Sequence, residues 1–384
     1  MGKGRKLYLT DYALTPLEKI PTGGILCERD RIIATGGASS FSLIDEGLEI
    51  HDFTDCYAVP GFIDSHIHGI GTWDATKPDI SQDTLEQMSL ALVRHGVTSF
   101  CPAMLSRPRE EMLASVASLS AMLEKGVHGA DIPGIHLEGP FISMEKRGSQ
   151  DPAGILEKID FGLARELMQA GNGRIKIITF APELENADKL VELMLEYGVI
   201  PSMGHSLATE EQTLRCVDAG ARRCTYVFNG MPQLYHRESS LTSVALGDDR
   251  ITVEMICDGL HIHPRFVDLT VRCKPHNKIV GISNGVAAVS NSQNVVTTSD
   301  GIISGATMTL ENSWRHLMTY TQMDPSLAAA CFTCNPAADL GLITRGELLP
   351  GRRADITFFD SKTNQVRATV VRGEIIYQAN QKTS

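Results

Sequence analysis

The sequence predicts an α/β fold, a (β/α)8 TIM-like barrel with a small β-sandwich domain built from both termini, and three observations predict it. The chain has 384 residues, and a barrel of this kind takes about 250, leaving roughly 130 for a second unit. Between about 60 and 345, short apolar runs alternate with amphipathic stretches of helical period, the pattern of parallel strands joined by helices. Both ends lack that helical period and read as strands punctuated by Gly, Asp and Pro.

The N-terminal strands are predicted at Leu7-Tyr8-Leu9-Thr10, Gly24–Glu28, Arg31–Thr35 and Tyr57-Ala58-Val59. Similar runs at Ala354–Asp360 and Gln365–Tyr377 complete one discontinuous unit, 1–59 plus 346–384, around a barrel of 60–345. In the barrel, helices are expected at about 81–95, 109–125, 186–197 and 209–219. Strands are expected at 98–101, 132–138, 175–180, 200–204, 224–228, 251–256 and 279–282. The stretch Leu327–Cys334 reads as one helix carrying Cys331 and Cys334 as buried thiols. No second cysteine pair completes a zinc site with them.

Composition excludes several classes. The formal net charge is −11, from 46 acidic and 35 basic residues, which argues against a nucleic-acid surface. It leaves room for an anionic small molecule, because a few arginines and backbone N–H groups can hold one phosphate. No window approaches 18 uncharged apolar residues, so no membrane helix is expected. The start, Met1-Gly2-Lys3-Gly4-Arg5-Lys6, is followed by no apolar run and lacks Ser or Thr at position six, so neither a signal peptide nor myristoylation is expected. Nine scattered cysteines suit a reducing compartment, the cytoplasm.

The chemistry-bearing residues follow the strands, where a barrel places its active groups. The first ends in Pro60-Gly61-Phe62-Ile63-Asp64-Ser65-His66-Ile67-His68. Side chains alternate along a strand, so His66 and His68 face the same way and can share a metal. Glu138 follows the third β-run and is fixed by Gly139-Pro140, and His205 stands just past another strand. Singly, each could be a surface histidine or a loop carboxylate; together they suit Zn2+ or a related divalent ion.

The Pro-Gly-Phe-Ile-Asp lead into His66 resembles the opening signature of the amidohydrolase superfamily. The resemblance narrows with His136-Leu137-Glu138-Gly139-Pro140-Phe141, Gly204-His205-Ser206, Val227-Phe228-Asn229-Gly230-Met231-Pro232, Arg237-Glu238, Asp258-Gly259-Leu260-His261 and Gly305–Thr309. In order, these are similar to the motifs of N-acetylglucosamine-6-phosphate deacetylases, from about residue 5 to residue 378. The resemblance implies removal of acetate from an N-acetyl amino-sugar phosphate, one or two divalent ions and a homodimer. It implies that Glu138 and His205 ligate metal, with His66 and His68 the pair used by two-metal members. It gives Asn229 and Gly230 contacts to the sugar phosphate, Arg237 its phosphate group, and His261 an orienting role. His263 receives no role and reads as a surface histidine.

Three positions depart from the family pattern. Tyr226 stands where a histidine ligand is usual, and a neutral phenol is the poorer ligand. Gln150 stands where many members have a substrate-contacting histidine, and an amide can keep the hydrogen bond. Asn284 stands where the family has the aspartate that takes a proton from attacking water and delivers it to the leaving amine. A carboxamide has no basic lone pair at neutral pH, so a loss of about 10²–10⁴-fold in turnover is expected. Such an exchange could have been introduced to trap substrate or could mark a drifted lineage, and the sequence leaves both open. It likewise leaves a deacetylase of the gluco or galacto sugar beside an inactive sugar-phosphate-binding homologue. An amidohydrolase for another amide, such as a hydantoin or dipeptide, would not need Asn229, Arg237 and His261.

Overall fold

The computed structural model describes residues 4–15, 18–41, 48–288, 295–299 and 301–380, so the Met1-Gly2-Lys3 tip lies outside the described residues. Eight parallel strands form the central sheet: Phe62–Ile67, Val97–Leu105, Ile135–Glu138, Ile175–Phe180, Ile200–Met203, Arg223–Cys224, Thr252–Ile256 and Ile279–Ile282. A helix follows each strand, and the predicted ones are found at Gln82–Val93, Arg109–Lys125, Ala187–Glu196 and Glu210–Ala219. Two of these starts carry side-chain caps: Ser81 accepts from the Thr84 N–H, and Thr209 forms a capping box with Gln212. Among the described residues no helix is long and apolar enough to cross a membrane.

The eighth and first strands close the barrel through loop groups as well as strand groups. At the upper end the Asn284 N–H donates to the His66 carbonyl at 3.1 Å, and the His68 N–H to the Gly285 carbonyl at 2.8 Å. Between them the buried Asp64 carboxylate accepts from the backbone N–H groups of His66 and Ser283, both at 3.3 Å. Lower down, the Ile63 and Gly281 N–H groups donate to the carbonyls of Phe332 and Cys331. Those carbonyls are free because the predicted helix through Cys334 breaks into Pro325–Ala330 and Cys334–Asp339. Pro336 has no N–H to return to Phe332, and its ring would crowd that carbonyl in a continuous helix. The expected single helix is therefore two.

The sixth strand is also shorter than expected. It ends at Cys224, and Tyr226 and Phe228 adopt left-handed backbone, with φ of 53° and 75°. Residues 225–228 turn out of the ladder, which carries the Tyr226 side chain into the barrel mouth.

The terminal segments pair in one seven-stranded sheet, in which Arg5–Leu14 lies between Lys19–Glu28 and Glu49–Pro60 and the latter pairs with Ile356–Asp360. Its core holds Tyr8, Ile25, Ile32, Phe53, Ile356 and Phe358. An aromatic cluster of Tyr57, Phe62, Trp314 and Phe359 joins this sheet to the first barrel strand. An ionic cluster makes a second link. Asp131 lies 2.5 Å from Arg345, 2.7 Å from Arg353 and 3.6 Å from Arg372, while Arg353 also pairs with Asp355.

Burial works against the charge of Asp131, yet Arg345, Arg353 and Arg372 outweigh it and hold its pKa below the usual value. A depressed carboxylate pKa stabilises the fold above the unfolded value of about 3.9 and loses that contribution as pH falls through the folded value. Asp131→Asn should cost about 2 kcal/mol in urea unfolding at pH 7, less than the 3–5 of a fully buried pair, because its side chain is 24% exposed. The deficit should shrink below pH 4; a pH-independent deficit would show that the charge is not what matters.

Candidate metal centre and active site

Four side chains from three strand ends meet at the barrel mouth. His66 lies in the first strand and His68 just beyond it, Glu138 ends the third, and His205 follows the fifth with φ of 48°. Gly139 is required behind Glu138: its φ is 115°, and a Cβ there would lie 2.1 Å from the Ser106 hydroxyl.

Each imidazole gives its Nδ1–H away from the centre. His68 donates to the Ala103 carbonyl at 3.1 Å and His205 to the Lys146 carbonyl at 2.6 Å. His66 Nδ1 lies 3.1 Å from the Glu254 carboxylate. All three Nε2 atoms therefore turn toward Glu138. One carboxylate oxygen lies 3.4 Å from His66 Nε2 and 3.3 Å from His68 Nε2, and the other 2.5 Å from His205 Nε2.

Electron pairs facing one another at such distances need a cation between them. Separations of 3.3–3.4 Å are those of two ligand atoms bonded to one ion at about 2.0–2.1 Å. The ligand atoms of His66, His68 and Glu138 all lie within 4.8 Å of one another, and all three residues are buried. The donor set thus fits a divalent metal. Electrostatics agree. Burial alone would lower the His66 pKa, but Glu254 and Glu138 outweigh it and raise it to about 9, a measure of how strongly this spot favours positive charge. In the absence of a metal, protons on the imidazoles fill that role: burial opposes the Glu138 charge, and hydrogen bonds from His205, His66 and His68 then hold its carboxyl well below the usual range.

The departures from the family pattern sit in the same place. The Tyr226 oxygen is 2.7 Å from His66 Nε2, 3.5 Å from His68 Nε2 and 3.1 Å from Asn284 Oδ1, to which it donates. Burial, then the Glu138 and Glu254 charges, push its pKa far up, so it remains a neutral phenol. Asn284 has φ of 48°, a backbone that Asn and Asp tolerate well.

A cavity of about 280 Å³ opens over these groups and is also lined by Gln150, Asn229, Gly230 and His261. His261 gives Nδ1–H to Asp258 at 2.5 Å, which leaves Nε2 for the cavity. Gln150 accepts from the Ser106 N–H through Oε1, while its buried Nε2 has no partner and is available to a ligand. Gly230 has φ of 58°, and a Cβ there would come within 3.2 Å of His205 Nδ1. Arg237 is not brought to this cavity: it lies on the exposed loop 233–239 with Nε against His236. His263 is the N-cap of the helix Pro264–Cys273, where Nδ1 accepts from the Arg265 N–H. Cys331 and Cys334 are free thiols, as are the other cysteines.

Sequence reading missed Glu254, Arg223 and Arg147, and gave Asp258, quoted in a motif, no role of its own. Glu254 and Arg223 are fully buried and paired with each other. Their signal was a charged residue inside an apolar strand, Thr252-Val253-Glu254-Met255-Ile256 and Arg223-Cys224. Arg147 lines the cavity and adds a cation that motif matching did not mark.

Comparison with known proteins places these features. The sequence model of the amidohydrolase family matches residues 57–376. The chain is 31% identical to the N-acetylglucosamine-6-phosphate deacetylase of Bacillus subtilis, over 86% of this chain and 87% of the relative. It is 29% identical to the N-acetylgalactosamine-6-phosphate deacetylase of Escherichia coli O157:H7, over 79% and 83%. Among solved structures, a mutant Mycobacterium smegmatis N-acetyl-D-glucosamine-6-phosphate deacetylase in complex with N-acetyl-D-glucosamine-6-phosphate superposes with a TM-score of 0.89. That match has 28% identity and covers 98% of this chain and 100% of the other.

Because an ion held only by the folded protein stabilises it, by about 2.7 kcal/mol at a hundred times Kd, added Zn2+ should raise the melting temperature of the metal-stripped protein. Glu138→Ala should abolish most of that rise. An equal rise in both proteins would remove Glu138 from the ligand set.

Proposed function

The chain belongs to the amidohydrolase family, among the N-acetylglucosamine-6-phosphate deacetylases, and from that premise we propose that it binds an N-acetylhexosamine 6-phosphate and cleaves its amide to the amino-sugar phosphate and acetate. The observation that carries this reading is the convergence of three imidazole Nε2 atoms on one buried carboxylate beneath a sugar-sized cavity. A divalent ion held by His66, His68, Glu138 and His205, Zn2+ by the nitrogen-rich donor set, supplies Lewis-acid polarisation of the amide carbonyl when bound.

The protein's own groups bind and orient. Gln150 Nε2 offers a donor to a sugar hydroxyl or the acetyl oxygen, and His261 Nε2, aimed by Asp258, fixes the N-acetyl end. Asn229 and the Gly230 backbone meet the sugar phosphate and Arg147 adds a cation inside the cavity, while the phosphate role that the resemblance implies for Arg237 falls on an exposed loop that does not line it. Asn284 occupies the place of the proton-shuttling carboxylate, where it accepts from Tyr226 but cannot take a proton. That single residue favours the second reading, a homologue that binds the sugar phosphate with little turnover. The exposed Leu234, Tyr235, Leu260 and Phe266 near the mouth support a homodimer, and a full set of free thiols suits the cytoplasm.

Acetate release from N-acetylglucosamine 6-phosphate and its galacto epimer tests the reading. Asn284→Asp should raise kcat by about 10²–10⁴-fold, since aspartate fits the same left-handed backbone. Turnover in the unaltered chain matching Asn284→Asp would show that Asn284 is no handicap, and none in either protein would favour the binding homologue. Arg237→Met should raise KM about tenfold and leave kcat nearly unchanged, the signature of lost uniform binding; unchanged KM would place the phosphate elsewhere.

A further inference from the structure

We propose that Glu254 is a positioning residue for the metal centre: its carboxylate, clamped by the buried Arg223, takes the Nδ1–H of His66 and so holds Nε2 on the ion. The inference rests on the reading of His66 as a metal ligand.

Glu254 stands in the middle of the seventh barrel strand and is fully buried. A carboxylate there is costly unless paired and hydrogen-bonded. It has two partners on different sides. One oxygen meets the Arg223 guanidinium, and the other lies 3.1 Å from His66 Nδ1. Arg223 is itself fully buried, donates to the Ser65 hydroxyl at 2.8 Å and pairs with Asp339. Ser65 adjoins His66, so the clamp reaches the ligand through the backbone as well as through the ring.

Charge accounting gives the clamp its direction. One guanidinium faces two carboxylates, Glu254 and Asp339. The uncompensated negative charge lies against His66 and favours positive charge on that ring or on what its Nε2 binds. The other two mouth imidazoles give Nδ1–H to backbone carbonyls, Ala103 and Lys146, which are neutral. Of the three imidazoles turned toward Glu138, His66 alone has a carboxylate behind it, and a carboxylate makes the opposite nitrogen the stronger donor.

A rival assignment is a second ion held by His66, His136 and Glu254, whose ligand atoms also cluster. The local contacts oppose it. Arg223 already supplies the cation at Glu254, and His136 Nε2 is engaged by the Thr179 hydroxyl at 2.8 Å. A further ion would face the guanidinium directly. The cluster is therefore support for the mouth site.

The test is zinc affinity of the metal-stripped full-length protein, by competition with a chromophoric chelator, for the unaltered chain, Glu254→Gln and His66→Gln. Glu254→Gln keeps the shape and removes the charge; its affinity should fall about 10–100-fold, and because the buried Arg223 loses a charged partner its metal-free melting temperature should fall as well. Undiminished affinity overturns the proposal. If His66→Gln also binds zinc as well as its parent, the ligand reading has failed and this inference fails with it. If only Glu254→Gln is neutral, the positioning role alone is wrong. Should Glu254→Gln not fold, the zinc-loaded parent with 15N-labelled histidine decides. A slowly exchanging, low-field proton on His66 Nδ1 supports the proposal, and an unprotonated Nδ1 overturns it.

Discussion

The Nδ1 proton of each mouth histidine is committed away from the centre, from His68 to Ala103, from His205 to Lys146 and from His66 to Glu254. Once those protons are placed, the three Nε2 atoms face Glu138 and one another, and the Tyr226 oxygen stands 2.7 Å from that of His66. In a buried site with little water to screen them, facing electron pairs are tolerable only with a cation between them. The residues around the mouth serve that constraint by carrying, aiming or bracing a donor. It also explains why Glu138 stays charged although it is buried.

The constraint works because the barrel closes at the same place. Backbone hydrogen bonds between His66, His68, Asn284 and Gly285 seal the eighth strand to the first, with Asp64 wedged in the seam and its pKa raised to about 6 by burial. The lower seam depends on the Cys331 and Phe332 carbonyls, which the break between the helices Pro325–Ala330 and Cys334–Asp339 leaves open to the strands. Closure and ligand placement are thus one geometric event, and a shift of the seam would move both histidines and the position over the scissile bond together.

Tyr226 and Asn284 form a local conflict inside this arrangement. Both have left-handed backbone, both point into the mouth, and the phenol donates to the carboxamide within reach of His66. The hydrogen bond that joins this neutral pair needs neither a metal nor a base. The surrounding donors keep the charge pattern of a hydrolytic centre, and the exchange touches only the groups that would ligate or move a proton.

The repeated strand–helix period made the barrel legible in the sequence, because burying parallel strands under amphipathic helices leaves a periodic trace. The His66–His68 spacing, Glu138 before Gly139-Pro140, and His205 after a strand were legible for the same reason, since side-chain direction follows local backbone. Local pattern runs straight through the turn at Tyr226 and the helix break before Pro336, because the partners that make each worthwhile, His66 in one case and Ile63 and Gly281 in the other, lie far away in the chain. Arg237 matches a motif, yet its loop is exposed and lines no part of the cavity, whereas Arg147 matches none and lines it. Which nitrogen of each histidine faces the centre, and that Glu254 and Arg223 stand behind one of them, depend on contacts between residues up to 188 positions apart. Local sequence determines which donors exist and which way a strand points them; only the closed barrel decides which distant group takes each proton.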